Sequence, residues 1–234
     1  MENKKLIIGI IIVVILIIGI AVSAISFGKF DKEQVKLLAD ETNKLLETDI
    51  ETDEIDLEIK TKKNYAIVEK SIKEYLLKLK NIYVATQEIE NQINPNEIFS
   101  AQNIEEKNFS KVDEIIKDYK EKAEENMDEY KNIIKEENIL DNINNKNISG
   151  KEEYYVDLYK TVMLSDSMKQ KFETLGNQIE RQKDGVIEKL NNIEKIKKFL
   201  EENDKYWEIK DEKIQFNSVN KITEYYNLLN KFAE

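Results

Sequence analysis

The side chains whose types and spacing could do chemistry fall in three places. Asn145, Asn147, Ser149 and Gly150 set alternate oxygens ahead of a glycine turn, as a calcium loop of the EF-hand kind begins. The pattern then fails: its first position has no carboxylate, and Val156 falls where a bidentate glutamate is needed, so an Asn/Gly turn is predicted. Asp49, Glu51, Asp53, Glu54, Asp56 and Glu58 could surround a cation, but a charge run of this kind is ordinarily a solvated face. Tyr154, Tyr155 and Tyr159 form the densest aromatic cluster among eleven tyrosines and one tryptophan. They are the candidate binding residues, placed in a groove where their helix would meet the long helices; the competing reading of such spacing is core packing.

The chain contains no histidine and no cysteine. Imidazole bases, thiolate nucleophiles, disulfides and ordinary zinc sites are therefore excluded, as is di-iron chemistry built on Glu-x-x-His. No Gly-rich phosphate loop is present. Carboxylate pairs able to cleave a glycoside occur by chance in so acidic a chain. The expectation is no catalytic residue, no metal, no cofactor and no enzyme.

Those residues need elements to hold them. The 234 residues are 41% hydrophobic and 35% charged, enough apolar content for a packed core. Leu37, Leu38, Leu45 and Leu46 give 31–47 a helical stripe, the expected juxtamembrane helix or linker of 29–53. Ile55, Leu57 and Ile59 alternate with charged residues, which predicts a strand. A long helix carries Tyr65, Val68, Ile72, Leu76 and Leu79, and Asn94-Pro95-Asn96 ends it. Ser110 reads as the cap of the next helix, with 138–150 as a polar loop after it. Tyr154 to Met163 forms a shorter helix, broken near Ser165-Asp166. Beyond the break, Met168, Phe172, Leu175, Ile179, Gln182, Val186, Ile193, Ile196 and Leu200 keep a four-three spacing, apart from the Lys189/Leu190 slot. Trp207/Ile209 and Ile214/Phe216 flank Lys210-Asp211-Glu212-Lys213 as a hairpin, and Ser218 opens a last helix. The fold class expected is mostly α: an elongated antiparallel helical bundle over 54–234, with a hairpin that the 55–59 strand extends to three strands near a membrane-proximal end.

The first residues set the expected location. Leu6 to Phe27 carry no charge and would span roughly 30 Å as a helix, so 6–28 reads as a transmembrane signal anchor behind a cytoplasmic tail at 1–5. The short tail favours N-in, with the domain extracytoplasmic at the cell membrane. Val22-Ser23-Ala24 also fits signal peptidase, which would release a secreted form cleaved near Ala24. Glu2, Lys4 and Lys5 are the charges of 1–28, leaving 34 basic against 46 acidic side chains in 29–234. That balance argues against nucleic acid as a partner.

The segments Ile55-Asp56-Leu57-Glu58-Ile59, Tyr154-Tyr155-Val156-Asp157-Leu158-Tyr159 and Trp207-x-Ile209 with Lys213-Ile214-x-Phe216 resemble an uncharacterised family of membrane-anchored or lipoprotein helical domains from Gram-positive bacteria. The resemblance implies location and fold and carries no catalytic residue. The function expected is that of a membrane-tethered extracytoplasmic domain binding a protein, peptide or envelope component without covalent chemistry, with self-association open. The alternatives are a cytosol-facing, membrane-anchored coiled-coil scaffold and a carboxylate-only hydrolase of wall glycans.

Overall fold

The computed structural model describes residues 28–233. Eight α-helices and one hairpin are seen among them: α1 (Lys29–Glu47), α2 (Asn64–Gln92), α3 (Pro95–Ile98), α4 (Ser110–Ile133), α5 (Glu136–Asn144), α6 (Glu152–Met163), α7 (Asp166–Glu202), β1 (Trp207–Lys210), β2 (Lys213–Phe216) and α8 (Val219–Ala233). The described residues divide into two compact units, 28–83 with 129–178 and 84–128 with 179–233.

In the first unit, α1 buries Val35, Leu38, Ala39 and Leu45, so this helix belongs to a core. From α2 come Tyr65, Val68, Ile72, Leu76 and Leu79, repeating at three and four residues as a helix facing a core must. Leu158, Tyr159, Val162 and Met163 of α6 and Met168 and Phe172 of α7 are buried as well. Ser165 separates these last two helices: its hydroxyl accepts from the Met168 amide, an N-cap that starts α7 where the sequence break falls.

The 138–150 loop expectation needs correction, because α5 covers Glu136–Asn144 and buries Ile139 and Ile143. Two isoleucines four residues apart are enough of an apolar stripe for a short helix once a core accepts them, although four asparagines in 138–145 read as loop. The predicted strand is corrected too. Residues 54–60 run without helix, strand, turn or bend, and Leu57 is 48% exposed. The segment is held by side chains in place of a second strand: Lys73 Nζ donates to the Glu58 carbonyl, and the Lys60 and Thr61 amides donate to Glu69. The sheet accordingly has two strands, not three.

The second unit's core gathers Ile89 and Ile93 of α2, Phe99, Ile104 and Phe109 of the connection, Val112 and Ile116 of α4, and Val186, Leu190, Ile193, Ile196 and Leu200 of α7. Leu190 fills the slot where the four-three spacing is interrupted. Trp207 seals this core, with its indole N–H on the Leu200 carbonyl at 2.8 Å and its ring edge-on to Phe109. The hairpin pairs Trp207 with Phe216 and Ile209 with Ile214. Asp211 and Glu212 both have positive φ, the backbone of a tight two-residue turn.

The span expected at 6–28 lies, apart from Gly28, outside the described residues. Among the described residues no helix is long and apolar enough to cross a membrane. The fold is therefore corrected to a mostly α one with a small antiparallel hairpin, and the assignments of an anchor, an extracytoplasmic side and a membrane partner are not retained.

Candidate functional site

The tyrosine cluster takes shape where α2 and α6 begin. Tyr65 is buried, and its hydroxyl donates to Asp31 Oδ1 at 3.1 Å. Its ring packs edge-on against Tyr155 at 5.1 Å between centroids, and Tyr155 meets Tyr154 at 5.0 Å. The structure thus brings Tyr154 and Tyr155 together but leaves Tyr159 elsewhere. Tyr159 is 0% exposed, with its hydroxyl accepting from the Asn142 carboxamide at 3.0 Å. Burial pushes the Tyr155 and Tyr159 hydroxyls above the usual phenol range. Tyr155 and Tyr159 are both buried, and of the three Tyr154 alone keeps partial exposure. The Asn/Gly turn sits beside this cluster, where the Asn64 side chain donates to the Ser149 carbonyl at 2.8 Å.

A second group was not singled out from the sequence. Lys73 is 1% exposed and places its ammonium 2.8 Å from Glu69 Oε1, 2.9 Å from Glu41 Oε2 and 2.6 Å from the Glu58 carbonyl. Glu69, also 1% exposed, accepts from the Lys60 and Thr61 amides and from the Thr61 hydroxyl at 2.7 Å. Glu41 takes a second ammonium, that of Lys44, at 2.6 Å. Burial alone would raise both carboxyls, yet the bonds from Lys73 and these other donors hold Glu41 and Glu69 below the usual carboxylate range. Burial pulls Lys73 down, and the two carboxylates more than reverse this, leaving it above the ordinary lysine value. The signal available in sequence was the pair Glu69/Lys73, four residues apart and interleaved with Val68, Ile72 and Leu76. In a chain with 36 basic and 47 acidic residues such a pair reads as surface.

The third group is Lys171 on α7. Its side chain is half-buried, and its Nζ donates to the Thr48 carbonyl at 2.6 Å and to the Leu46 carbonyl at 3.1 Å. These lie at the end of α1, where helix carbonyls lack intrahelical donors. Burial pushes the amine down to about 8, against the opposing pull of the Asp49 and Asp53 carboxylates.

An open pocket of about 330 Å³ lies in the second unit, lined by Gln102, Asn103, Glu105, Glu106, Asn108, Ser110 and Lys111. It forms around the start of α4, where the Asn108 carboxamide accepts from the Ser110 amide and hydroxyl and supplies the oxygen expected from Ser110 itself. None of Glu41, Glu69, Lys73 or Lys171 lines it.

No family model matches the chain, and it matches neither a curated protein nor a solved structure. The resemblance to a family of anchored Gram-positive domains is corrected accordingly: short strand and helix-start segments recur wherever amphipathic elements do and identify no family here.

Proposed function

We propose that this protein catalyses no reaction and acts through the shape and surface of its helical units. The observation that carries this reading is the enclosure of the shifted carboxylates. Catalytic acids, bases and nucleophiles sit in clefts with their pKa shifted toward the task. Here the shifted carboxylates Glu41 and Glu69 are closed off by the donors that shift them, and the open pocket is lined by other residues. Glu69 accepts four bonds from Lys73, Lys60 and Thr61, which leaves its carboxylate no free site from which to take a substrate proton.

The test is turnover by the purified chain on ester, phosphate, peptide and wall-glycan substrates. The expected result is a rate equal to the buffer control for each. A rate above that control, abolished by Glu105→Gln in the pocket or by Lys171→Met, would establish an enzyme and remove the proposal.

A further inference from the structure

We propose that residues 48–62 form a releasable strap, which lifts from the helices of the first unit as one piece while those helices stay folded. The proposal concerns a motion of the fold and stands whether or not the protein turns over a substrate.

The strap is held by side chains of the helices around it. Among the described residues no backbone group of 54–62 bonds to another backbone group. Carbonyls of the strap instead accept from lysine ammoniums: Thr48 from Lys171 at 2.6 Å, Asp53 from Lys80, and Glu58 from Lys73 at 2.6 Å. Its last amides donate outward, Lys60 and Thr61 to Glu69 at 3.1 and 2.8 Å and Lys62 to Gln34 at 2.6 Å. Each of these bonds sets a helix side chain against strap main chain. Of residues 49–60, Ile50 and Ile55 alone are buried, whereas α2 buries Tyr65, Val68, Ile72, Leu76 and Leu79. A segment with few buried apolar contacts and no backbone pairing belongs to the low end of local stability and opens before the core does.

Two features lower the cost of release. Glu69 and Lys73 are each 1% exposed, and the strap supplies Glu69 with the Lys60 amide, the Thr61 amide and the Thr61 hydroxyl. Lifting the strap removes those donors but admits water to both ions, and a buried pair of this kind is close to balance between the two effects. Lys63, where the strap joins α2, is held at φ 56°, a strained backbone for a residue with a Cβ, and the strain relaxes once the junction is free. Release uncovers the places that Ile50 and Ile55 fill and the Lys73/Glu69 pair, so the first unit has a closed surface and an open one.

The test is hydrogen exchange of the whole chain at pH 7, resolved to single amides by NMR. Lys60, Thr61 and Lys62 are the reporters, because each amide is protected by a helix side chain. The expected result is one common opening constant for the three, at least about a hundredfold larger than that of the Leu76 and Leu79 amides of α2. Between water and about 2 M urea the reporters should change by less than about threefold and the α2 amides by about thirtyfold or more, since a local opening exposes little surface. Ile50→Ala should raise the opening of all three reporters together by about tenfold or more, although its own contacts lie at the other end of the strap. Reporters as slow as Leu76, reporters with separate opening constants, or reporters indifferent to Ile50→Ala would overturn the proposal. The first two outcomes are read on the unaltered chain, so they decide even if Ile50→Ala fails to fold.

Discussion

Lys73 Nζ and Glu69 Oε1 stand 2.8 Å apart one helical turn along α2, with each side chain 1% exposed. Burying two charges is costly, and the cost is recovered here through the geometry of what surrounds them: five polar groups from 58–61 and from α1 complete the coordination. The pair thereby fastens an extended segment that has no strand partner. Replacing Lys73 with Met should strand two carboxylates and destabilise the protein by about 3–5 kcal/mol. The urea midpoint measures this, and adding Glu41→Gln and Glu69→Gln to Lys73→Met should return part of the loss. A single substitution costing under about 1 kcal/mol would mean that the network is not formed as described.

The same network sets the acid limb of stability. Glu41 and Glu69 are held below their ordinary values, so they contribute stability that is present above about pH 4.3 and is lost as pH falls through their folded values. Lys73, raised, contributes stability that is fully present below about pH 10.4 and lost only above it. Lys171 has the reverse sign. Between about pH 8 and 10.4 the unfolded chain binds more protons at this residue, so its contribution rises with pH. Urea midpoints across pH should show a fall below about pH 4.5 that Glu69→Gln reduces. They should also show an alkaline gain that Lys171→Met removes.

Gly176 of α7 faces Tyr130 of α4 so closely that an added Cβ would lie 2.8 Å from the ring's Cε1. Tyr130 has little room to retreat: it is 2% exposed, and its hydroxyl donates to the Phe172 carbonyl. Gly176→Ala should cost about 1–3 kcal/mol by overpacking despite the better helix propensity of alanine. In a Tyr130→Ala background the same change should be neutral or favourable. A double-mutant cycle on thermal unfolding reads the difference, and additive effects would show that the two residues are not in contact.

Tyr159 is a core residue by its burial and its bond from Asn142. Tyr159→Ala should therefore destabilise by about 3–5 kcal/mol, and Tyr159→Phe by about 1 kcal/mol through the lost hydroxyl. Chemical denaturation distinguishes this from a ligand-facing role, for which alanine would leave stability within about 0.5 kcal/mol.

The hairpin turn places Asp211 and Glu212 at φ 51° and 59°, a region that non-glycine residues other than Asn and Asp enter at a cost. Asp211→Asn with Glu212→Gly should raise the unfolding midpoint, by about 0.5–1 kcal/mol in stability. Fluorescence of Trp207, the strand partner of Phe216, follows this unfolding.

Periodicity made most of the helices legible. The four-three spacing from Met168 to Leu200 and the alternation around Lys210–Lys213 correspond to α7 and to the hairpin, because helical and extended backbones repeat their faces at fixed intervals whatever surrounds them. Composition likewise excluded thiol and imidazole chemistry, since absent residues need no fold to be absent. Tertiary structure decided what periodicity cannot express. Ile55 to Ile59 alternate as a strand does, but pairing needs a neighbour, and side chains of α2 occupy that place. Tyr154 and Tyr155 pack together while Tyr159, four residues after Tyr155, meets Asn142, because a ring's role depends on which element lies opposite it. Glu41 comes from a stretch well separated from the Glu69/Lys73 pair in an evenly charged sequence. Only the fold, by enclosing them in low dielectric beside each other's charges, distinguishes them from the solvated pairs elsewhere.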